Sequence, residues 1–324
     1  MRKKIILVGC GNIGSRHLQA IAKLSYDIQV DIVEPNNDAV SLAKTRLNEM
    51  LYDKKNHEFF WHRSINELTD VGDIVIVATN SVNRVDLISD LINKGNTRFL
   101  IEKLVCQSIT QYNIIIKKVK ESNSKVWVNT NRRYFKSYNT IKELLQTEKI
   151  LSLSVKANSK NGLSTNAIHY IDLFSWLIED YEITLDGKLL SDQLLQNKRG
   201  PNFKEFSGII TGIAKNNSSL SIEFLPYLED EVFVEISTNE LKMIIDETNE
   251  KITTFGNMKH YNLEFKNEPV SNISTKIIND ILEDDKSLLP TLNDSFIGHA
   301  ELFRIFNSHI NKLLKENLEL CPIT

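Results

Sequence analysis

Short apolar runs alternate with helical patterns over the first third of the chain. Two of them, "IILV" and "IVIVA", contain no polar residue, and such strands suit a sheet that is covered on both faces. Strands separated by helices are joined by right-handed crossovers, so the sheet that they form is parallel. The pattern therefore predicts one doubly wound α/β domain, which we place at residues 1–128.

The pattern of apolar and polar residues changes after residue 128. Segments such as "FSGIITGIAKNNSSLSIEFLP", "EVFVEIST" and "ELKMIIDET" alternate in polarity and have turn residues between them, which predicts an antiparallel meander. A strongly helical segment, "STNAIHYIDLFSWLIED", precedes them, and "DSFIGHAELFRIFNSHINKLLKE" follows them. We therefore expect a second, α+β domain over residues 129–324.

Composition narrows the class of partner. The chain of 324 residues carries a formal net charge of −3, without the basic excess that is typical of nucleic-acid binding. No apolar run approaches the roughly 20 residues that a membrane-spanning helix needs. The three cysteines are far apart and lack the CxxC spacing of a metal or redox site. We expect an unexported, cytoplasmic protein with a small-molecule partner, no metal, no nucleic acid and no membrane.

The stretch "GCGNIG" follows the first predicted strand and opens the first predicted helix. In this setting Gly9 permits a tight turn, Gly11 lets the backbone approach a pyrophosphate, and Gly14 allows close packing of helix on strand. Glu34 stands at the end of the second predicted strand, where an acidic residue accepts hydrogen bonds from ribose hydroxyls. A tight turn without a ligand is the structural alternative, but strand, spacing, helix and acid together predict a bound dinucleotide.

The dinucleotide is predicted to be NAD rather than NADP. A carboxylate at Glu34 repels a 2′-phosphate, and residues 35–37 supply no arginine to receive one. The residues predicted to bind the cofactor, at this turn and at neighbouring strand ends, are Gly9, Gly11, Asn12, Ile13, Gly14, Glu34, Thr79, Asn80, Glu102 and Lys103.

A lysine follows one of the apolar strands, in "RFLIEK". Because ligands collect at the carboxyl ends of parallel strands, we expect Lys103 to lie near the cofactor. Positive charge and partial burial there would lower the pKa of a lysine toward the range of an acid–base catalyst. On composition alone, the alternative is a solvated lysine after an edge strand.

The helical segment of the second domain contains another candidate. His169 and Asp172 are three residues apart and share a face of the helix. Ser164 or Thr165 is the expected N-cap, which places His169 in the first turn, where the helix dipole disfavours the imidazolium. A neutral histidine there can accept or donate a proton. The alternative is a buried, structural histidine held by Asp172.

The segments "GCGNIGSRHL", "ATNS", "EK", "NRRYF" and "GLSTNAIHYIDL", in this order, resemble motifs of the Gfo/Idh/MocA oxidoreductases, relatives of glucose-fructose oxidoreductase and inositol dehydrogenase. The resemblance covers nearly the whole chain. It implies a Rossmann domain followed by an α/β domain on a large, mostly antiparallel sheet. It also implies NAD(P)-dependent oxidation or reduction of a sugar, cyclitol or sugar nucleotide, and a homodimer or homotetramer formed through the open face of that sheet.

The resemblance assigns the catalytic lysine of the family to Lys103 and its histidine to His169. Thr165 departs from the pattern, because many members carry a catalytic aspartate four residues before the histidine. The run "GLSTNAIHYIDLF" is similar to a variant form in members linked to surface-polysaccharide sugars.

Three further positions depart from the family. Leu104 replaces the usual proline after the Glu-Lys pair. Asn80 and Ser81 stand where Pro-Asn is usual, and Arg84 stands where a histidine is common.

These features predict reversible hydride transfer between NAD and a secondary alcohol or ketone. Lys103 or His169, from different domains, would take the hydroxyl proton and return it in the reverse direction. We expect Asp172 to orient His169. Arg133 is a candidate for a substrate phosphate or carboxylate, or alternatively a surface or interdomain ion-pair residue. The residues predicted at the substrate are Arg133, Thr165, Asn166 and Asp172.

Two other functions stay open at this point. Because Thr165 replaces the aspartate, the chain could be a catalytically silent NAD-binding regulator or scaffold of the same fold. NAD-assisted lyase or epimerase chemistry, through a transient ketone, is a third possibility.

Overall fold

Six parallel strands form the sheet of the first unit in the computed structural model, which describes residues 2–50, 56–256 and 263–324. The strands are β1 (Lys3–Val8), β2 (Ile28–Val33), β3 (His57–His62), β4 (Ile74–Val77), β5 (Arg98–Ile101) and β6 (Lys125–Val128). Their order is β3-β2-β1-β4-β5-β6, and each neighbouring pair is parallel. The predicted doubly wound sheet is confirmed, and the order reverses between β1 and β4, where ligands of such sheets bind.

Helices alternate with the strands of the first sheet, and further helices lie in the second unit. The α-helices within the described ranges are α1 (Gly14–Ile21), α2 (Asn37–Asn48), α3 (Arg84–Asn93), α4 (Ile109–Glu121), α5 (Lys136–Leu144), α6 (Leu163–Ile178), α7 (Val270–Asp284) and α8 (Leu292–Leu314). All four residues of β4 are fully buried, as expected for an apolar strand in the middle of a sheet with two covered faces.

Residues 268–292 return to the first unit. That unit comprises Met1–Cys106, Thr110–Asn129 and Glu268–Leu292, and the second comprises Gln107–Ile109, Thr130–Asn267 and Asn293–Thr324. α7 packs on α1, where Thr275 donates a hydrogen bond of 3.0 Å to the carbonyl of Ala20 and Lys23 donates one of 2.6 Å to Asn272. The division at residue 128 does not include this return, because an amphipathic pattern does not indicate which helix it will pack against.

Seven strands form the main sheet of the second unit. They are β7 (Ser152–Asn158), β8 (Ile183–Leu190), β11 (Gly208–Ala214), β12 (Ser219–Leu225), β13 (Phe233–Ser237), β14 (Leu241–Asp246) and β15 (Lys251–Gly256), and β9 (Leu195–Gln196) pairs separately with β10 (Lys204–Glu205). The order is β15-β14-β13-β7-β12-β11-β8. β7 and β12 are parallel, and the other neighbours are antiparallel. The expected large, mostly antiparallel sheet is therefore confirmed.

α6 lies between this sheet and α8. The ring of Tyr170 meets Phe224 of β12 edge-on, with ring centroids 6.2 Å apart. On the opposite side, Gly298 of α8 approaches Ile171 so closely that an added Cβ would stand 3.1 Å from its methyl group. Burial on both sides gives the helix that carries His169 a fixed orientation within its unit.

The sequence analysis did not identify β3, α5 or β8. β3 has the sequence "HEFFWH", is only partly buried and lies at the edge of its sheet, so it lacks the continuous apolar run of the central strands. Over residues 2–50, 56–256 and 263–324, we find no helix with both the length and the apolar character needed to cross a membrane.

Candidate functional site

The turn between β1 and α1 requires glycine at two positions and leaves space at a third. Gly9 has a φ of +86°, and a Cβ there would stand 2.8 Å from the backbone nitrogen of Thr79; a Cβ on Gly14 would stand 2.0 Å from the carbonyl oxygen of Gly9. A Cβ on Gly11 would meet nothing within 4 Å. Gly11 thus exposes backbone to open space, as a pyrophosphate-binding turn needs.

The N-terminus of α1 is suited to an anion. Ile13 precedes the helix, and among the described residues no side chain caps it and no acidic residue lies in its first turn. The free N–H groups and the positive end of the helix dipole are therefore available to phosphate oxygens. Arg46 of α2 adds a cation here, because it donates to the carbonyl of Asn12 at 2.9 Å and to Ser15 Oγ at 2.6 Å.

Glu34 lies beside the same turn. Its side chain is buried, one carboxylate oxygen accepts a hydrogen bond of 2.7 Å from the N–H of Cys10, and the other accepts one of 2.9 Å from the N–H of Asn36. Arg63, which follows β3, donates to the carbonyl of Pro35 at 2.7 Å and to the side chain of Asn37. The fold thus brings an arginine to the segment after Glu34, where the local sequence has none.

Lys103 is buried, with 5% of its surface exposed, and follows β5, which lies between β4 and β6. The alternative of a solvated lysine after an edge strand is therefore wrong. The residue before it, Glu102, accepts hydrogen bonds from His17 at 2.8 Å and from Asn129 at 2.5 Å. Burial raises the pKa of the Glu102 carboxyl, but the hydrogen bonds from His17 and Asn129 and the charges of His17 and Lys103 together hold the pKa below its ordinary value.

Arg84 and Thr79 also lie at the carboxyl ends of the strands, close to the segment that contains Lys103. Arg84 is fully buried and donates to the carbonyl oxygens of Thr79, Glu102 and Leu104. The peptide bond between Lys103 and Leu104 is cis. The exposed Asn80 turns its side-chain oxygen back to the N–H of Val82, at 3.1 Å. The roles predicted for these residues in cofactor binding stay predictions.

The predicted N-cap of α6 is wrong. The helix begins at Leu163, and its N-cap is Gly162, with a φ of +79°. The hydroxyls of Ser164 and Thr165 instead donate to the carboxylate of Glu205, each at 2.7 Å, and the N–H of Ser164 donates to it at 2.6 Å. A buried carboxylate from β10 takes the place of a local capping hydroxyl, and the earlier start puts His169 in the second turn.

A carboxylate therefore lies one turn before His169 although residue 165 is a threonine. Glu205 is 6% exposed, and its hydrogen bond to Thr165 places it beside the position where the aspartate was expected. Sequence reasoning missed Glu205, because it lies 40 residues away from Thr165. The side-chain amide of Asn166, next along the helix, donates to the carbonyl of Asn161.

Asp172 was expected to orient His169, but its carboxylate forms hydrogen bonds with Arg133. Both oxygens of Asp172 accept hydrogen bonds from this guanidinium, at 2.9 and 2.6 Å. Two-point geometry of this kind is strong and directional. Burial disfavours the Arg133 cation, but the Asp172 carboxylate outweighs it and raises the pKa of Arg133. Arg133 thus forms a buried ion pair within the second unit, which differs from the surface or interdomain pair considered as the alternative, and its contact with substrate stays a prediction.

A second buried ion pair lies beneath the same helix. Glu247 accepts hydrogen bonds from Arg132 at 2.9 and 3.1 Å, from Tyr138 at 2.6 Å and from Tyr170 at 3.1 Å. Burial raises the pKa of Glu247, but Arg132 outweighs burial and lowers it. Tyr170 adjoins His169, so this network fixes the helix turn that carries the histidine.

The two proton-transfer candidates lie in different units, Lys103 in the first and His169 in the second. Their convergence on one substrate hydroxyl stays a prediction.

Comparison with known proteins agrees with the fold. Residues 3–130 match the Gfo/Idh/MocA model, described as an oxidoreductase family with an NAD-binding Rossmann fold. No curated protein matches the chain in sequence. The WlbA dehydrogenase from Bordetella pertussis, solved with NADH and UDP-GlcNAcA, is 15% identical, with a TM-score of 0.71 over 100% of this chain and 99% of that chain.

Two further solved structures share the fold. UDP-N-acetylglucosamine 3-dehydrogenase GnnA from Acidithiobacillus ferrooxidans is 12% identical, with a TM-score of 0.67 over 98% of this chain and 99% of that chain. The super-repressor mutant of Gal80p from Saccharomyces cerevisiae is 15% identical, with a TM-score of 0.68 over 96% of this chain and 97% of that chain. At these identities the likeness establishes the fold alone.

Proposed function

Residues 3–130 belong to the NAD-binding Rossmann fold of the Gfo/Idh/MocA oxidoreductase family, and from this premise we propose that the protein is an NAD-dependent dehydrogenase or reductase of a sugar-like substrate. Its reaction is hydride transfer between the nicotinamide and a secondary alcohol or ketone of a sugar, cyclitol or sugar nucleotide. The observation that carries the proposal is the buried Lys103, at the sheet edge that also holds the glycine turn.

The residues at the turn fit a dinucleotide. Gly11 leaves open space where the pyrophosphate backbone would approach, and α1 presents an uncapped N-terminus among the described residues. Arg46 supplies a positive charge beside that helix end. Glu34 stands at the end of β2, the place from which a carboxylate binds ribose hydroxyls and disfavours a 2′-phosphate. NAD is the cofactor that this set of residues favours.

In the proposed mechanism, NAD supplies the hydride acceptor or donor when bound. Lys103 or His169 removes the proton from the substrate hydroxyl during oxidation and returns it during reduction. Proton transfer by a positioned side chain contributes roughly 100-fold to 10,000-fold to the rate. We assign substrate contact to Thr165 and Asn166 and, because Arg133 and Asp172 bind each other, we assign that pair to holding α6 in place.

A sugar nucleotide is the favoured substrate class. WlbA was solved with UDP-GlcNAcA, and GnnA is named as a UDP-N-acetylglucosamine 3-dehydrogenase. These two relatives of similar fold support a UDP-linked N-acetylhexosamine or its uronic acid as the first compounds to test.

The test is reduction of NAD by a defined panel. The full chain is incubated with NAD and UDP-GlcNAc, UDP-GlcNAcA, free N-acetylglucosamine or inositol, and NADH is followed by absorbance. We expect turnover with a UDP-sugar and a loss of about 100-fold or more in Lys103→Met. Lys94→Met, which changes an exposed lysine at the end of α3, is the matched control and should keep full activity. Full turnover by Lys103→Met would overturn its assignment.

A catalytically silent regulator or scaffold is the second candidate. The observations that favour it are Thr165 in place of the aspartate and the structural likeness to Gal80p. Tight NAD binding with no NADH formation from any panel compound would support this candidate. Analysis of the products by mass spectrometry in the same reactions would reveal lyase or epimerase chemistry, in which NAD is regenerated.

We also propose a homodimer or homotetramer. Strand β12 alternates between buried and more exposed side chains, so one face of the seven-stranded sheet is left for a second copy. Light scattering of the purified chain should give two or four times the 37.2 kDa chain mass; a monomer at micromolar concentration would refute this assembly.

A further inference from the structure

Arg84 is a fully buried arginine bound to backbone carbonyl oxygens. It is the first residue of α3, and its guanidinium donates to the carbonyls of Thr79, Glu102 and Leu104. A buried cation is costly unless hydrogen bonds replace its water. Three carbonyl partners supply that replacement, so the arrangement can persist in a dry interior.

These carbonyls are not scattered. Glu102 and Leu104 flank Lys103 on either side, and Thr79 lies two residues beyond the end of the neighbouring strand β4. The guanidinium is planar and presents its N–H groups in a rigid fork. Arg84 thus joins the segment after β4 to the segment that carries Lys103, and it binds the carbonyl oxygens of the residues before and after the lysine.

Side-chain contacts hold the same segment from other directions. The carboxylate of Glu102 is bound by His17 of α1 and by Asn129, which follows β6. The side chain of Leu104 is fully buried. The two neighbours of Lys103 are therefore fixed in position, and the Cα of the lysine is fixed with them.

We propose that Arg84 is a positioning residue for Lys103, and that it sets where the lysine amine stands at the carboxyl edge of the sheet. This inference rests on the proposed function for its consequence in catalysis, because a shift of about 1 Å in a catalytic group can lower a rate on the order of 100-fold.

Three variants distinguish the effect of Arg84 on the position of Lys103 from the effect of its positive charge. Arg84→Lys keeps a positive charge but has one ammonium group in place of the fork. Arg84→Met removes the charge and keeps a similar length. Arg98→Lys is the matched control, because Arg98 begins β5, at the other end of the same strand, and pairs with a half-exposed Asp285. Circular dichroism and thermal unfolding identify any variant that fails to fold, and Arg84→Lys keeps the test available if Arg84→Met does.

The first readout needs no substrate. The folded protein is treated briefly with acetic anhydride, and acetylation of Lys103 is measured by peptide mass spectrometry against Lys94 as the internal reference. In Arg84→Lys, where the charge remains, we expect the relative acetylation rate of Lys103 to change at least threefold. Arg98→Lys should match the wild type. Rates within twofold of the wild type in both Arg84 variants would overturn the proposal.

The second readout is kinetic and uses the panel compound with the highest turnover. Arg84→Lys should lower kcat at least tenfold, with NAD affinity by calorimetry within threefold of the wild type. The same substitution should have no further effect in a Lys103→Met background, because Arg84 acts through the lysine. An equal loss in both backgrounds would contradict positioning. If no compound turns over, the proposed function fails while the acetylation result still decides the inference.

Discussion

The hydroxyl of Thr165 donates a hydrogen bond of 2.7 Å to the buried carboxylate of Glu205. Thr165 lies on the first turn of α6 and Glu205 ends β10, so this bond joins two distant parts of the second unit. The same carboxylate accepts two further hydrogen bonds from Ser164. A carboxylate is thus present beside the position where the family resemblance led us to expect one from the helix itself.

Removal of this carboxylate should destabilise the second unit. In Glu205→Ala, three donors of Ser164 and Thr165 lose their acceptor in a buried setting, and we expect a cost of about 2–4 kcal/mol in the free energy of unfolding. Urea unfolding measures it. Glu235→Ala, which removes a partly exposed carboxylate of β13, should cost less than about 1 kcal/mol. A cost below about 1 kcal/mol in Glu205→Ala would contradict the hydrogen bonds described.

Two alanine substitutions in the glycine turn should have opposite effects. Gly11→Ala adds a methyl group to open space, so the fold should tolerate it, whereas NAD affinity should fall at least tenfold, about 1.4 kcal/mol, because the methyl occupies the path of the pyrophosphate. Gly14→Ala drives a methyl into the Gly9 carbonyl and should cost about 2 kcal/mol or more of stability. Thermal unfolding and calorimetry measure the two effects. Unchanged NAD affinity in Gly11→Ala would exclude this turn as the pyrophosphate site.

Cofactor choice should depend on Glu34 and Arg63 together. Glu34→Gln removes the negative charge, while Arg63 remains beside Pro35, so affinity for NADP should rise on the order of tenfold, about 1.4 kcal/mol. Adding Arg63→Met should reverse most of that gain and leave NAD affinity nearly unchanged. Calorimetric titration of both cofactors provides the comparison. If NADP binds the single and double variants equally, Arg63 does not face the 2′-phosphate.

The pKa of Glu102 predicts a stability change in acid. Burial opposes ionisation, but the hydrogen bonds from His17 and Asn129 and the nearby charges of His17 and Lys103 together lower the pKa in the folded state. The stabilisation from the ionised carboxylate is therefore fully present above the ordinary carboxyl pKa of about 4.3 and is lost as the pH falls through the lower folded-state value. Glu102→Gln should flatten the fall in unfolding free energy over this acid range. Glu58→Gln, at a half-exposed surface ion pair, should keep the slope of the wild type.

Much of the first unit could be predicted because its signals are local. Gly14 is required by its contact with Gly9 in the same turn, and Gly9 itself has a φ of +86°. The apolar runs of β1 and β4 indicated a covered parallel sheet, and the structure has one. Lys103 was identified as a candidate from its place after a strand, but only the strand order revealed that β5 has a neighbouring strand on each side.

Most errors and omissions concern partners far apart in the chain. Asp172 was assigned to a histidine three residues away, yet it binds Arg133, 39 residues before it. Capping of α6 was assigned to its own hydroxyls, yet a carboxylate 40 residues later accepts their hydrogen bonds. Local spacing shows which side chains can meet on a helix, but it does not show which distant group competes for them.

The sequence by itself determined the two kinds of sheet and the glycine turn, because strand burial, helix periodicity and turn conformation depend on residues close together in the chain. Only the tertiary structure decided which side chains surround each candidate group: Arg63 beside Glu34, Arg84 around the Lys103 segment and Glu205 beside Thr165. The physical reason is that a charged or polar side chain, once buried, takes the hydrogen-bond partners that the packing of distant elements brings within reach.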